Sequence, residues 1–231
     1  MVKRNTALRI RKTHRYLGLF IGLQFLAWTV SGLYFSWTDL DEIHGDPFKK
    51  TPSTAGVFTK LIPLDSIPEA IEELSLVAIN QSPYFWINNK TLYHAQTGVL
   101  KNGIMEQEAI KVAEENLVGD LKIDRVELLT ETDSHHEFRG QSLPAYAIHY
   151  DHPDLLVAYV DAQSGIFKKV RHSSWRWFDF LWMGHTMDYQ GRDDFNNLLL
   201  RVFSLFGLFT VLSGFLLWGT SSPTLRKIRK R

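Results

Sequence analysis

The chain has 231 residues, 45% of them hydrophobic, no cysteine and a formal net charge of +1. Without cysteine it holds no Cys-ligated iron–sulfur cluster, no covalently attached c-type haem and no thiol nucleophile. The near-neutral total hides a segregation, because all 25 acids fall between Thr38 and Asn197 while both ends are basic and acid-free.

Residues 1–16 form a basic tail with Lys3, Arg4, Arg9, Arg11, Lys12 and Arg15. From Leu17 to Trp37 no charge occurs, and only Gln24, Thr29, Ser31 and Ser36 interrupt the apolar run. Hydroxyls there can bond back to carbonyls of their own helix. About 21 helical residues at 1.5 Å each reach about 30 Å, the thickness of a bilayer's hydrocarbon core, so residues 17–37 are predicted to span. Asp39-Leu40-Asp41-Glu42 follows where a cleaved signal peptide would place small residues, which makes this stretch an uncleaved anchor. A second apolar stretch, Leu198 to Trp218, carries one charge, Arg201, a turn from its start, where it can snorkel. Residues 219–231 close the chain with Arg226, Lys227, Arg229, Lys230 and Arg231. By the positive-inside rule both termini are cytoplasmic and the segment from Thr38 to Asn197 faces the other side. The basic tails are membrane-anchoring flanks in contact with the lipid bilayer, with no nucleic-acid partner expected.

Residues 38–173 are predicted to fold as an α+β domain, and they contain an internal echo. Ala95-Gln96-Thr97-Gly98-Val99-Leu100-Lys101 recurs as Ala162-Gln163-Ser164-Gly165-Ile166-Phe167-Lys168, each after a strand-like run with a Tyr. A Gly after two polar residues, flanked by apolar alternation, marks a hairpin turn, so two related hairpins are expected. Helical spacing covers Glu69 to Leu74 and Glu106 to Leu117, the latter with Ile110, Ala113 and Leu117 on one face. Lys122 to Leu129 and Ala145 to Tyr150 are expected strands, the second closed by a turn at His152-Pro153-Asp154. Together these give antiparallel sheets with helices on one face. Residues 174–197, with Trp175, Trp177, Phe178, Phe180 and Trp182, form an aromatic interfacial segment.

Leu143-Pro144-Ala145-Tyr146, followed by a strand and then Ala158-Tyr159-Val160-Asp161-Ala162-Gln163-Ser164-Gly165, resembles the end of a PepSY domain. His14-Arg15-Tyr16-Leu17-Gly18-Leu19 with Gly22-Leu23, and Trp177 through Tyr189 ahead of Leu212-Ser213-Gly214, resemble the PepSY-associated transmembrane family. The resemblance implies a bacterial inner-membrane protein with a periplasmic domain. It also implies haem b held between helices by His pairs, in a component of ferric-iron or siderophore reduction. PepSY domains elsewhere act as propeptides that restrain proteases. Two departures stand out: better-known haem-binding relatives have four spans where this chain has two, and Asn196-Asn197 occupies a place where relatives often read Asn-His.

His14 and His185 are the candidate axial ligands. As plain residues, His14 is also one more interfacial cation beside Arg11, Lys12 and Arg15, and His185 is also a hydrogen-bonding partner for Asp179, Asp188 or a carbonyl. Gly18 and Gly22, four and eight residues after His14, leave room for a flat macrocycle or for a close helix. The two imidazoles sit at opposite faces of the membrane, about 30 Å apart in level, so one iron cannot take both. The missing ligands would come from another membrane subunit or from a two-fold homodimer, which sets like against like at each level.

His135-His136, His149 and His152 lie in or beside loops, and no His-Glu-x-x-His spacing occurs, which argues against a metalloprotease. Acids cluster after the first span (Asp39, Asp41, Glu42, Asp46) and before the second (Asp188, Asp193, Asp194). Two functions from different classes therefore stand: a haem-linked membrane electron-transfer component, and a membrane-tethered PepSY module binding a peptide, protease or envelope partner without redox chemistry.

Overall fold

The computed structural model describes residues 4–51 and 57–222. In chain order the elements are α1 (Arg4–Trp37), α2 (Leu40–Ile43), β1 (Leu74–Ile79), β2 (Ser82–Ile87), β3 (Thr91–His94), β4 (Leu100–Lys101), α3 (Glu106–Asn116), β5 (Ile123–Leu129), β6 (Ala145–Tyr150), β7 (Val157–Asp161), β8 (Phe167–Arg171), α4 (Ser173–Thr186) and α5 (Leu198–Ser221). The chain divides into a helical unit, Met1–Trp37 with Asp179–Arg231, and a globular unit, Thr38–Phe178. Of the basic tails, Lys3, Arg226, Lys227, Arg229, Lys230 and Arg231 lie outside the described residues.

In the helical unit, α1 and α5 run antiparallel, with His14 beside Ser213 and Phe25 beside Gly207. The less exposed positions of α1 include His14, Gly18, Ile21, Phe25, Trp28, Gly32 and Phe35, and those of α5 include Leu200, Phe203, Gly207, Thr210, Gly214 and Leu217. Alternating steps of four and three keep one stripe facing a partner helix, the geometry of a two-helix seam. Outside the seam the surface is apolar: Leu19 is 78% exposed and Leu198 75%. Both helices are long and apolar enough to cross a membrane, and only 11% of either apolar window is buried. A core helix of a soluble protein would hide most of that surface, so the expected pair of helices long and apolar enough to span is present. α1 begins well before the apolar stretch. Thr29 and Ser36 donate to Phe25 O and Leu33 O at 2.8 Å, satisfying their hydroxyls within the helix.

The globular unit holds two four-stranded antiparallel sheets, ordered β1-β2-β3-β4 and β5-β6-β7-β8. Each sheet ends in a hairpin built on the repeated motif, followed in sequence by a helix. Gly98 (φ 74°) and Gly165 (φ 71°) take the left-handed conformation that each turn needs. α3 packs on β6, β7 and β8, burying Ala109, Val112 and Ala113 with Ile148, Ala158, Val160 and Val170, and the same core includes Trp86 and Leu92 of the first sheet. The other sheet faces are covered by irregular chain: Ile62 and Ile67 pack on Phe85, Ile87 and Tyr93, and Phe138 on Ala145, Ala147 and Tyr159.

One expected element is absent. Glu69 to Leu74 is not helical; a short 3-10 turn at Leu64–Ser66 precedes it, and Leu74 already belongs to β1. Asn88 holds this segment extended, its Oδ1 accepting from the backbone N–H of Glu72 and Glu73 and its Nδ2 donating to Ala70 O. Those bonds replace the ones a helix would have supplied.

Candidate functional site

Both imidazoles singled out by the sequence lie in the helical unit, and each rests on a Ser-Gly pair of a neighbouring helix. His14 of α1 meets Ser213 and Gly214 of α5: its Nδ1 is 2.7 Å from Ser213 Oγ, and a Cβ built on Gly214 would stand 3.3 Å from the ring's Cε1. His185 of α4 meets Ser31 and Gly32 of α1: its Nδ1 is 2.7 Å from Ser31 Oγ, and a Cβ on Gly32 would stand 3.9 Å from Cε1. The glycine admits the ring against the helix backbone, and the serine supplies the polar contact.

The serine protons are committed elsewhere. Ser213 Oγ donates to Thr210 O at 2.7 Å, and Ser31 Oγ donates to Ala27 O at 2.8 Å. A hydroxyl has one hydrogen, so a serine that spends it on the carbonyl can only accept from the ring, and Nδ1 would then carry the proton. Each Nε2 then keeps its lone pair, and among the described residues it has no hydrogen-bond partner. A neutral imidazole with one nitrogen protonated and the other bare is the form that ligates iron.

The two surroundings differ. His185 is enclosed by aromatic rings: Phe35 at 5.4 Å, Trp182 nearly parallel at 6.4 Å and Trp28 at 6.4 Å between centroids, with Trp28 Nε1 donating to His185 O at 2.8 Å. The sequence alternative of a bond to Asp179 or Asp188 does not hold, because both acids are engaged elsewhere. Asp179 pairs with Arg192, and Asp188 accepts backbone N–H groups from Gln190, Gly191 and Asp194. Asn197, where an Asn-His pair would place its imidazole, instead caps α5 by accepting from Leu200 N at 2.8 Å and donates to Thr186 O at 2.9 Å.

Position 14 and the Ser31 that holds His185 lie on one helix, so their levels differ by about 25 Å at 1.5 Å per residue. The structure does not bring the two imidazoles together, and no single iron reaches both. Gly18 and Gly22 do not serve a close approach of α5, since a Cβ on either would meet nothing within 4 Å; the same holds for Gly184 beside His185. These three glycine positions therefore face open space. Each level thus offers one imidazole.

Among the described residues of either unit, no group of three His, Asp or Glu is gathered closely enough to hold an ion. His136 Nδ1 accepts from Phe138 N at 3.0 Å and so shapes its loop. His149 lines a cleft of about 490 Å³ on the second sheet, with Glu127, Glu137, Tyr159 and Arg176. Burial, with Arg125 adding to it, holds the His149 pKa below the ordinary 6.5. Glu137 ties the cleft together, accepting from Arg176 Nε at 2.6 Å and from Tyr159 Oη at 2.6 Å. Burial, with the Glu137 charge, pushes the Tyr159 phenol up, keeping it a donor. His172, 2% exposed, was not singled out by the sequence; its Nε2 lies 3.0 Å from Glu42 O and tethers α2.

The serines are what the sequence analysis missed as site residues, although Ser31-Gly32 and Ser213-Gly214 repeat one dipeptide in both apolar stretches. Comparison of the chain with protein-family models, with curated proteins and with solved structures finds no match.

Proposed function

We propose that this chain is a membrane electron-transfer component of the PepSY-associated transmembrane type, with His14 and His185 as axial ligands at two levels of the bilayer. The observation that carries this reading is the pair of seated imidazoles, each with Nδ1 2.7 Å from a serine hydroxyl and Nε2 without a hydrogen-bond partner among the described residues. Haem b bound at such a position supplies a one-electron carrier. The chain's own residues would orient each imidazole through its serine and place it against apolar helix surface.

One imidazole per level makes a second copy of the chain the natural source of the other ligand, since an isologous two-fold contact pairs His14 with its mate and His185 with its own. Basic tails on the cytoplasmic side of a bacterial inner membrane and an acidic domain in the periplasm complete the topology. Electrons passed between the two levels would serve reduction of ferric iron or a ferric siderophore outside the membrane. The test is a reduced-minus-oxidised optical spectrum of the full-length protein purified after expression with ample haem. A low-spin b-type signal supports the reading, and absence of any reducible haem overturns it.

The cleft of about 490 Å³ on the second sheet favours one other reading, a tethered module that binds a peptide, protease or envelope partner through the globular unit. A haem-free chain that captures such a partner, and loses it when Glu127 and His149 are both replaced by Ala, would support that reading instead.

A further inference from the structure

The same seat is built twice, with the helices exchanging roles. At one end α1 provides the imidazole and α5 the serine; at the other, α4 provides the imidazole and α1 the serine. In both, the contact is Nδ1 to Oγ at 2.7 Å, the serine precedes a glycine that the ring lies against, and the hydroxyl proton goes to a carbonyl of the serine's own helix. The hydroxyls of Thr29 and Ser36 bond only to carbonyls of α1, so back-bonding alone does not create the arrangement.

Cross-helix glue would explain a serine–histidine contact but not its direction. Glue works equally well with the hydroxyl donating to a bare Nδ1. Each serine oxygen here also lies 2.7–2.8 Å from a carbonyl of its own helix, which can only accept; a hydroxyl proton placed there leaves the oxygen only lone pairs to offer the ring. The ring must then donate from Nδ1, against the preference of neutral histidine in water for the Nε2–H form. The chain from carbonyl through hydroxyl to imidazole also makes Nε2 a stronger base, as partners of ligating histidines do.

We propose that Ser213 and Ser31 are the positioning residues of His14 and His185, each fixing its imidazole as the Nδ1–H tautomer with a bare Nε2. The use of that nitrogen as an iron ligand rests on the haem reading above; the tautomer itself does not.

The test is nitrogen NMR of the haem-free, full-length chain in lipid bilayers, labelled with 15N-histidine. It is run at a pH about two units above the ordinary imidazole value of about 6.5, where the rings are neutral. Protonated and bare ring nitrogens resonate far apart, and His14→Gln and His185→Gln assign the signals. Both rings are expected as Nδ1–H. Ser213→Ala shifts His14 toward the Nε2–H form and leaves His185 unchanged; Ser31→Ala does the reverse. Ser213→Thr, which keeps the hydroxyl, restores the Nδ1–H signal, and Ser36→Ala moves neither ring. Rings found mainly as Nε2–H, or unmoved by loss of their serine, overturn the inference even if haem is bound. The expected tautomers in a chain that takes up no haem uphold the seating and fail the haem reading, so the two claims fall separately.

Discussion

Phe25 of α1 fills the space that Gly207 leaves on α5, where a Cβ would stand only 2.8 Å from the Phe25 Cζ. Gly18 on the facing seam, and Gly22 beside the seam, have no such neighbour. The glycines thus divide into one that two helices of this chain use and two that they leave free.

That division sets opposite signs for similar substitutions. Gly207→Ala gains about 1 kcal/mol of helix propensity but overpacks at a cost of about 1–3 kcal/mol, and is expected to weaken the helix pair. Gly18→Ala meets no atom and is expected to stabilise the folded chain by up to about 1 kcal/mol. Gly18→Leu, filling the space beside His14, is expected to lower haem content while leaving the fold intact. Unfolding of the full-length variants in detergent, with haem content measured alongside, checks both halves.

Glu137 has a side chain 15% exposed and holds Arg176 and the 1% exposed Tyr159 together. Glu137→Ala leaves a buried phenol without an acceptor and a half-buried guanidinium without a counter-charge. A loss of about 3 kcal/mol is expected, the lower part of the range for a buried pair deprived of one partner. Glu137→Gln, which can still accept from both, is expected to lose less. Chemical denaturation followed by tryptophan fluorescence measures the difference.

Gly165 and Gly119 both have positive φ, 71° and 78°, but only Gly165 is crowded, a Cβ there lying 2.8 Å from Ile79 Cγ1. Gly119→Ala should cost about 1–2 kcal/mol for the left-handed backbone alone. Gly165→Ala adds overpacking of about 1–3 kcal/mol and should be clearly worse. Equal losses in the two variants would show that the hairpin tip of the second sheet is not packed as described.

The depressed pKa of His149 gives stability a pH dependence of known sign. The folded chain takes up this proton less readily than the unfolded chain, so stability is full above the ordinary value of 6.5 and falls as pH drops through the lower folded value. The buried Asp161 adds a second loss at lower pH: burial raises its carboxyl, but bonds from Ser142 and Ser164 outweigh that and hold it below 3.8. His149→Gln should flatten the first loss and leave the second. Denaturation midpoints measured from about pH 2 to about pH 7 would reveal whether the mildly acidic loss disappears in the variant while the lower one stays.

Legibility in the sequence followed the strength of the local signal. The apolar stretches, α3 and the twin hairpins were readable because run length, a three-to-four spacing and a repeated turn motif each leave a direct imprint. β1 and β2 were not, since Asn80 and Gln81 turn the chain with positive φ and no glycine, and Asn88 straightens Glu69–Leu74 from a distance in sequence. His14 and His185 were marked by the family resemblance, one a turn before the first apolar stretch and the other at the end of an aromatic one. Ser31 was legible only as an interruption of the first stretch and Ser213 only as part of Leu212-Ser213-Gly214, because pairing across 154 and 199 residues is a tertiary fact. Asn197 showed the same limit, a cap whose role depends on where α5 begins.

The central claim is that His14 and His185 each hold iron through Nε2 at a separate level, and haem content of full-length His14→Ala, His185→Ala and the double variant tests it most directly. The account predicts two spectroscopically distinct low-spin haem populations in the parent chain, loss of one in each single variant with the other retained, and loss of both in the double variant. Haem spectra that survive both substitutions unchanged, or a parent chain that binds no haem, would contradict it.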